Sequence, residues 1–155
     1  AYGTAESAEE IQDCHNPYDP FALHKAAIIA CGILPLEEKA DLKKVLEKMG
    51  GGFYLSTSVK GVPKGSGLGT SSILAGACVK AFAEFLGESW DDSQIYDTVL
   101  NLEQIMSTGG GWQDQVGGLT PGIKFITSRP GIRQQLKVEK VEISEKTKQI
   151  GRAHV

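Results

Sequence analysis

The chain has 155 residues, 41% of them hydrophobic and 23% charged, with a net charge of −3, ordinary values for a globular domain able to build a core. The acidic balance and the lack of a basic cluster argue against a nucleic-acid partner. No apolar run approaches the roughly 20 residues of a membrane-spanning helix and no basic-then-apolar leader opens the chain, so no membrane association and a cytoplasmic location are expected. Cys14, Cys31 and Cys78 lack metal-ligand spacing, and the last two fall in apolar helical stretches, which predicts reduced core thiols. His15, His24 and His154 form no ligand set.

In chain order, residues 1–19 are polar and turn-rich, with Asn16-Pro17 and Asp19-Pro20 as breakers. Leu23, Ala26, Ala27, Ala30 and Cys31 recur at helical spacing and predict a helix over 21–34, ended by Gly32 and Pro35. A more solvated amphipathic helix is predicted over 37–49, capped by Gly50-Gly51-Gly52. Residues 53–59 alternate apolar and small polar side chains, as a half-buried strand does. Ile73, Leu74, Ala77, Ala81, Phe82 and Phe85 predict a helix over 71–86. Asp91-Asp92-Ser93 caps another running to about Met106. Residues 107–118 read as a glycine-dense loop, and 122–127 and 136–143 as antiparallel strands joined at Arg129-Pro130-Gly131. Helices and strands mix without regular alternation, so the class is α+β rather than a doubly wound sheet.

Between the predicted strand and the long helix lies Pro63-Lys64-Gly65-Ser66-Gly67-Leu68-Gly69-Thr70-Ser71-Ser72. Three glycines on alternate positions leave a run of backbone amides that no Cβ shields. Such a loop can wrap an anion and present it to the positive end of a helix. A polyphosphate is the natural guest, and the hydroxyls that follow suit its metal. No Gly-Lys-Ser/Thr ends the loop, so it is not the common ATPase loop. Its third glycine comes one residue too early for a dinucleotide fingerprint. Lys64 either adds positive charge near the phosphates or is a solvated loop lysine.

Glu103 and Asp114 form the second constellation. Glu103 sits near the end of a helix between apolar neighbours, and Asp114 follows Gly109-Gly110-Gly111-Trp112-Gln113. A glycine-flexed loop returning Asp114 toward a helix-borne carboxylate suits phosphoryl transfer. One carboxylate would hold Mg²⁺ and the other would meet the acceptor hydroxyl. The plain alternatives are a solvated helical glutamate and a turn aspartate. Trp112 is either a core plug or a wall of a sugar pocket.

The loop PKGSGLGTSS resembles the second signature of the GHMP small-molecule kinases, among them galactokinase, homoserine kinase and mevalonate kinase. Within that family, residues 102–124, with Thr108-Gly-Gly-Gly-Trp-Gln-Asp-Gln115, resemble the fucokinases, those of animal type most closely. The likeness extends back through 21–33 and 50–53 and covers roughly 12–142. It implies a GHMP N-terminal-type domain (ribosomal protein S5 domain 2-like) and ATP-dependent phosphorylation of the anomeric hydroxyl of L-fucose to fucose 1-phosphate, the step that feeds GDP-fucose salvage.

Carried over residue by residue, the resemblance assigns the segment from Pro63 to Ser72 to ATP and its phosphates. It gives Ser71, with Thr70 beside it, and Glu103 to Mg²⁺, and Asp114 to the base. Trp112 and Gln113 join Asp114 at the sugar. Thr70 replaces the family's usual first serine and keeps the hydroxyl. The separation of eleven positions from Glu103 to Asp114 matches that of mevalonate kinase. A heptose phosphate kinase of the same family shares the glycine loop, and a degenerate sugar-binding member is the non-enzymatic alternative. A fused guanylyltransferase domain is compatible with the resemblance.

The family's first and third signatures are not in these residues. The chain is therefore expected to be part of a larger kinase, incomplete at both ends, with 1–149 belonging to the ATP-binding domain and no activity by itself. Ile150-Gly151-Arg152-Ala153-His154-Val155 has no relation to the charged stretch before it. It is expected to be a non-native, adapter-derived tail, a natural disordered tail being the alternative.

Overall fold

The computed structural model describes residues 2–63, 66–107, 111–131, 135–144 and 146–147. Two compact units result, Ala1–Leu119 and Thr120–Val155. The first carries six helices among its described residues: α1 (Ala8–Gln12), α2 (Ala22–Ala30), α3 (Leu42–Met49), α4 (Thr70–Phe85), α5 (Asp92–Ile105) and α6 (Trp112–Leu119). The second carries a hairpin of β1 (Lys124–Arg129) and β2 (Gln135–Lys140).

The core of the first unit is helix on helix. Ala26 and Ala27 of α2, Val79 of α4 and Val99 and Leu102 of α5 are all 0% exposed, and α2, α4 and α5 pack on one another in pairs. Small side chains on α2 and α4 let the axes approach, as ridge-and-groove packing requires. Short α1, absent from the sequence reading, starts at Ser7, whose Oγ accepts from the Glu10 amide. It buries Ala8 and Ile11. The helix predicted over 37–49 is confined to its last eight residues, because Asp41 caps it at Lys44 N. Gly50 ends it in the left-handed region at φ 82°, a conformation glycine adopts without strain.

The strand predicted over 53–59 is not one. Phe53, Leu55 and Thr57 are half-buried and alternate with exposed neighbours, so the expected alternation is present. No described segment pairs with it, and a strand is made by its ladder. Side chains hold it instead. Phe53 packs edge-on against Phe82 with ring centroids 5.3 Å apart, and His24 Nε2 lies 2.8 Å from Thr57 Oγ1.

Cys14, Cys31 and Cys78 are free and buried. Burial pushes the Cys31 thiol up to about 12, with Cys78 and Glu88 adding to the effect, and the Cys78 thiol up to about 11. Neither is a thiolate at neutral pH.

In the second unit β1 and β2 are antiparallel, with Ile126 opposite Val138 and Ser128 opposite Leu136. The predicted pairing is present, with β1 shifted two residues toward the C-terminus of the predicted 122–127. The expected six-residue tail, and Lys64 and Gly65 of the glycine loop, lie outside the described residues.

Candidate functional site

The glycine loop enters α4 through two residues in the left-handed region, Gly67 at φ 69° and Gly69 at φ 63°. Gly69 is the N-cap of α4, so no side chain caps the helix. Its carbonyl accepts the first helical bond, from Ile73 N at 3.1 Å. The early amides of α4 thus have no side-chain cap, the arrangement found where a helix N-terminus can take an anion. Before them, Ser66 N donates to Pro63 O at 3.3 Å, and Ser66, Gly67 and Leu68 are exposed.

α5 positions Glu103. Its start is fixed by a capping box, Gln94 N donating to Asp91 Oδ1 and Asp91 N to Gln94 Oε1, each at 2.9 Å. Leu102, next to Glu103, anchors the far end in the core at 0% exposure. Glu103 itself is only 8% exposed. Both its carboxylate oxygens are engaged: Ser72 Oγ donates to Oε1 at 2.6 Å, and Gln115 Nε2 donates to Oε2 at 2.7 Å. Three helices therefore meet at one buried carboxylate.

α6 replaces the loop expected over 107–118. Trp112, Gln113 and Asp114 form its first turn, and Gln115 and Val116 are its buried residues. Two glycines, Gly118 of the expected loop and Gly76 of α4, have a packing role. A Cβ on Gly76 of α4 would collide with Leu119, and one on Gly118 with Ile73. Without these side chains α4 and α6 lie close enough for Asp114 to reach the glycine loop. A Cβ built on Gly69 would stand 3.6 Å from Asp114 Cβ and 3.8 Å from its Cγ.

The predicted residues are thus largely gathered. Glu103, Asp114, Gly69 and the first turn of α4 converge. Trp112 is half-buried and lies outside the core cluster, and Gln113 is exposed. Ser71, the predicted metal hydroxyl, is exposed, and the hydroxyl brought onto Glu103 is that of Ser72. One helical step of about 100° separates the two. Sequence reasoning missed the Ser72 contact and Gln115. The signal for Ser72 was its spacing with Ala75, Gly76 and Val79, which places it on the buried face of α4.

The donor set suits a hard cation that brings its own phosphate ligands. Among the described residues there is no group of three or more His, Cys, Asp or Glu placed to hold a metal, so an all-protein cage is absent there. What is present is oxygen: the Glu103 carboxylate and the Ser72 hydroxyl. Mg²⁺ sites at substrate phosphates use one or two carboxylates and take the remaining oxygens from substrate and water.

Comparison with known proteins gives the family. Residues 38–121 match the family model described as GHMP kinases N terminal domain, more than half of the chain and the whole of the site. The chain belongs to the GHMP kinase family. It is 40% identical over 129 residues to an "L-fucokinase/L-fucose-1-P guanylyltransferase" of Bacteroides fragilis, covering 81% of this chain and 14% of that protein. It is 48% identical over 120 residues to a "Bifunctional fucokinase/GDP-fucose pyrophosphorylase" of Arabidopsis thaliana, covering 77% of this chain and 10% of that protein. The chain therefore spans a small part of the curated relatives it matches. No solved structure matches it.

Proposed function

We propose that the chain forms the phosphate-binding and base-bearing part of an ATP-dependent sugar kinase that converts L-fucose to fucose 1-phosphate. One observation carries this reading: the carboxylate held by Ser72 and Gln115 lies on the same packed helices that set Asp114 against Gly69. The loop amides and the N-terminus of α4 would bind the ATP phosphates. Glu103, with Ser71 or Ser72, would hold Mg²⁺, which when bound neutralises phosphate charge. Asp114 would accept the proton as the anomeric oxygen attacks the γ-phosphorus. A new O–P bond then forms, the β–γ bridging bond breaks, and ADP leaves. An ordinary carboxylate is a weak base, so positioning and charge neutralisation must supply most of the rate. Half-buried Trp112 and exposed Gln113, beside Asp114, would contact the sugar.

Both relatives bear names that join a kinase to a nucleotidyl-transfer activity. We extend that pairing to the full-length product of this gene, acting in the cytoplasm on sugar and ATP. Among the described residues no helix is long and apolar enough to cross a membrane. The test is ADP release by the full-length gene product against a panel of free sugars and sugar phosphates. L-fucose should be preferred, with fucose 1-phosphate as product. Preference for a heptose phosphate, or no sugar-dependent release, would contradict the reading.

A further inference from the structure

Gln115 directly follows Asp114, and one residue step turns successive side chains about 100° apart around a helix. Asp114 accordingly stands exposed against Gly69, while Gln115 is buried at 0% exposure with Nε2 donating to Glu103 Oε2 at 2.7 Å. The amide fits only this way round, because its oxygen in that place would set two acceptors against each other. Gln115 Oε1 is left buried and without a hydrogen-bond partner. A buried amide oxygen lacking a donor destabilises the fold. A position needed for packing alone would be served better by an apolar side chain, as at neighbouring Val116, also 0% exposed.

We infer that Gln115 is a positioning residue for phosphoryl transfer: its amide ties the Glu103 carboxylate to the base-bearing helix, fixing the rotation of α6 and with it the place of Asp114. The inference rests on the kinase reading above and deepens it. One hydrogen bond then couples the metal-side carboxylate on α5 to the sugar-side carboxylate on α6. Residues 114 and 115 divide the work, one facing the substrate and the other the scaffold.

Two substitutions in the full-length gene product test this, with ADP release as the readout and the sugar chosen by the panel. Gln115→Met removes the donor at similar volume. It should lower kcat about 10- to 100-fold at every pH, the effect of losing a hydrogen bond to a charged group, and leave the sugar KM unchanged. Gln115→Glu keeps the shape. The introduced carboxyl, buried against Glu103 of α5 and beside Asp114 of α6, holds its proton above the ordinary carboxylate range; α4 contributes uncharged Ser72 to the same cluster.

While protonated, that carboxyl can donate to Glu103, so Gln115→Glu should approach wild-type rates at low pH. Its rate should fall toward the Gln115→Met level as pH rises. A profile parallel to wild type overturns the inference and leaves the kinase reading intact. Absence of turnover in the wild type overturns the kinase reading instead. Titration of MgATP into wild type and Gln115→Glu over the same pH range then decides the inference. Affinity lost only in the variant as pH rises supports it, and equal affinity at each pH overturns it.

Discussion

Removing the Ser72 hydroxyl probes a buried polar contact that ties α4 to Glu103. Ser72 Oγ lies 2.6 Å from Glu103 Oε1, and the two residues are 6% and 8% exposed. Ser72→Ala deletes one oxygen and deprives a charged acceptor of a donor where water has little access. A hydrogen bond to a charged group contributes about 1.5–3 kcal/mol, and desolvation of the abandoned oxygen acts in the same direction. A loss of about 2 kcal/mol corresponds to a factor of about 30 in a local opening equilibrium. Hydrogen exchange read by mass spectrometry on the full-length protein measures that equilibrium in peptides from α4 and α5. Both should lose about 30-fold in protection on Ser72→Ala, by the same conversion. Ser71→Ala is the internal comparison, since Ser71 is exposed one step around the helix, and protection there should not change. Equal losses in the two variants, or none in Ser72→Ala, would refute the reasoning, because the carboxylate would then be held by other means.

Further outcomes concern the packing of α6 and the response to acid. Gly76→Ala places a Cβ into Leu119; overpacking costs about 1–3 kcal/mol, and displacement of α6 should lower ADP release more than MgATP binding. Gly117→Ala meets nothing within 4 Å and should be neutral or stabilising in the same assays; equal damage from both would argue against close α4–α6 contact. Burial holds His24 below its ordinary value of 6.5, with Asp19 pulling the other way. Folding therefore favours the neutral imidazole, and its stabilisation is full above about pH 6.5 and lost as pH falls through the lower folded value. Urea midpoints should drop on the acid side of that window, and His24→Gln should flatten the slope; unchanged slopes would contradict the assignment.

Much of this site was legible in the residues because its local rules agree. Asp91 and Gln94 announce the start of α5, apolar spacing draws α4, and Gly67 and Gly69 mark the left-handed turns of the loop. α6 was hidden because Gly117 and Gly118 read as loop chemistry, whereas Gly118 is small to admit Ile73. That reason belongs to packing between helices and is invisible along the chain. The segment at 53–59 failed in the opposite sense. Alternation sets which side chains turn inward, but ladder formation depends on a neighbour the pattern does not encode. Ser72 shows the finest limit: of two adjacent hydroxyls, the one in step with buried Ala75, Gly76 and Val79 is the one that meets Glu103, and that partner is not written along the helix.

Whether Asp114 takes the proton is most directly tested by Asp114→Asn in the full-length protein, which keeps volume and removes the basic oxygen. Turnover and MgATP affinity should be measured side by side. A general base contributes about 10²–10⁴-fold, so turnover should fall by that order while MgATP binds as in the wild type. Turnover within about tenfold of wild type would remove Asp114 from the chemistry. The contact between α6 and the glycine loop would then be no more than packing.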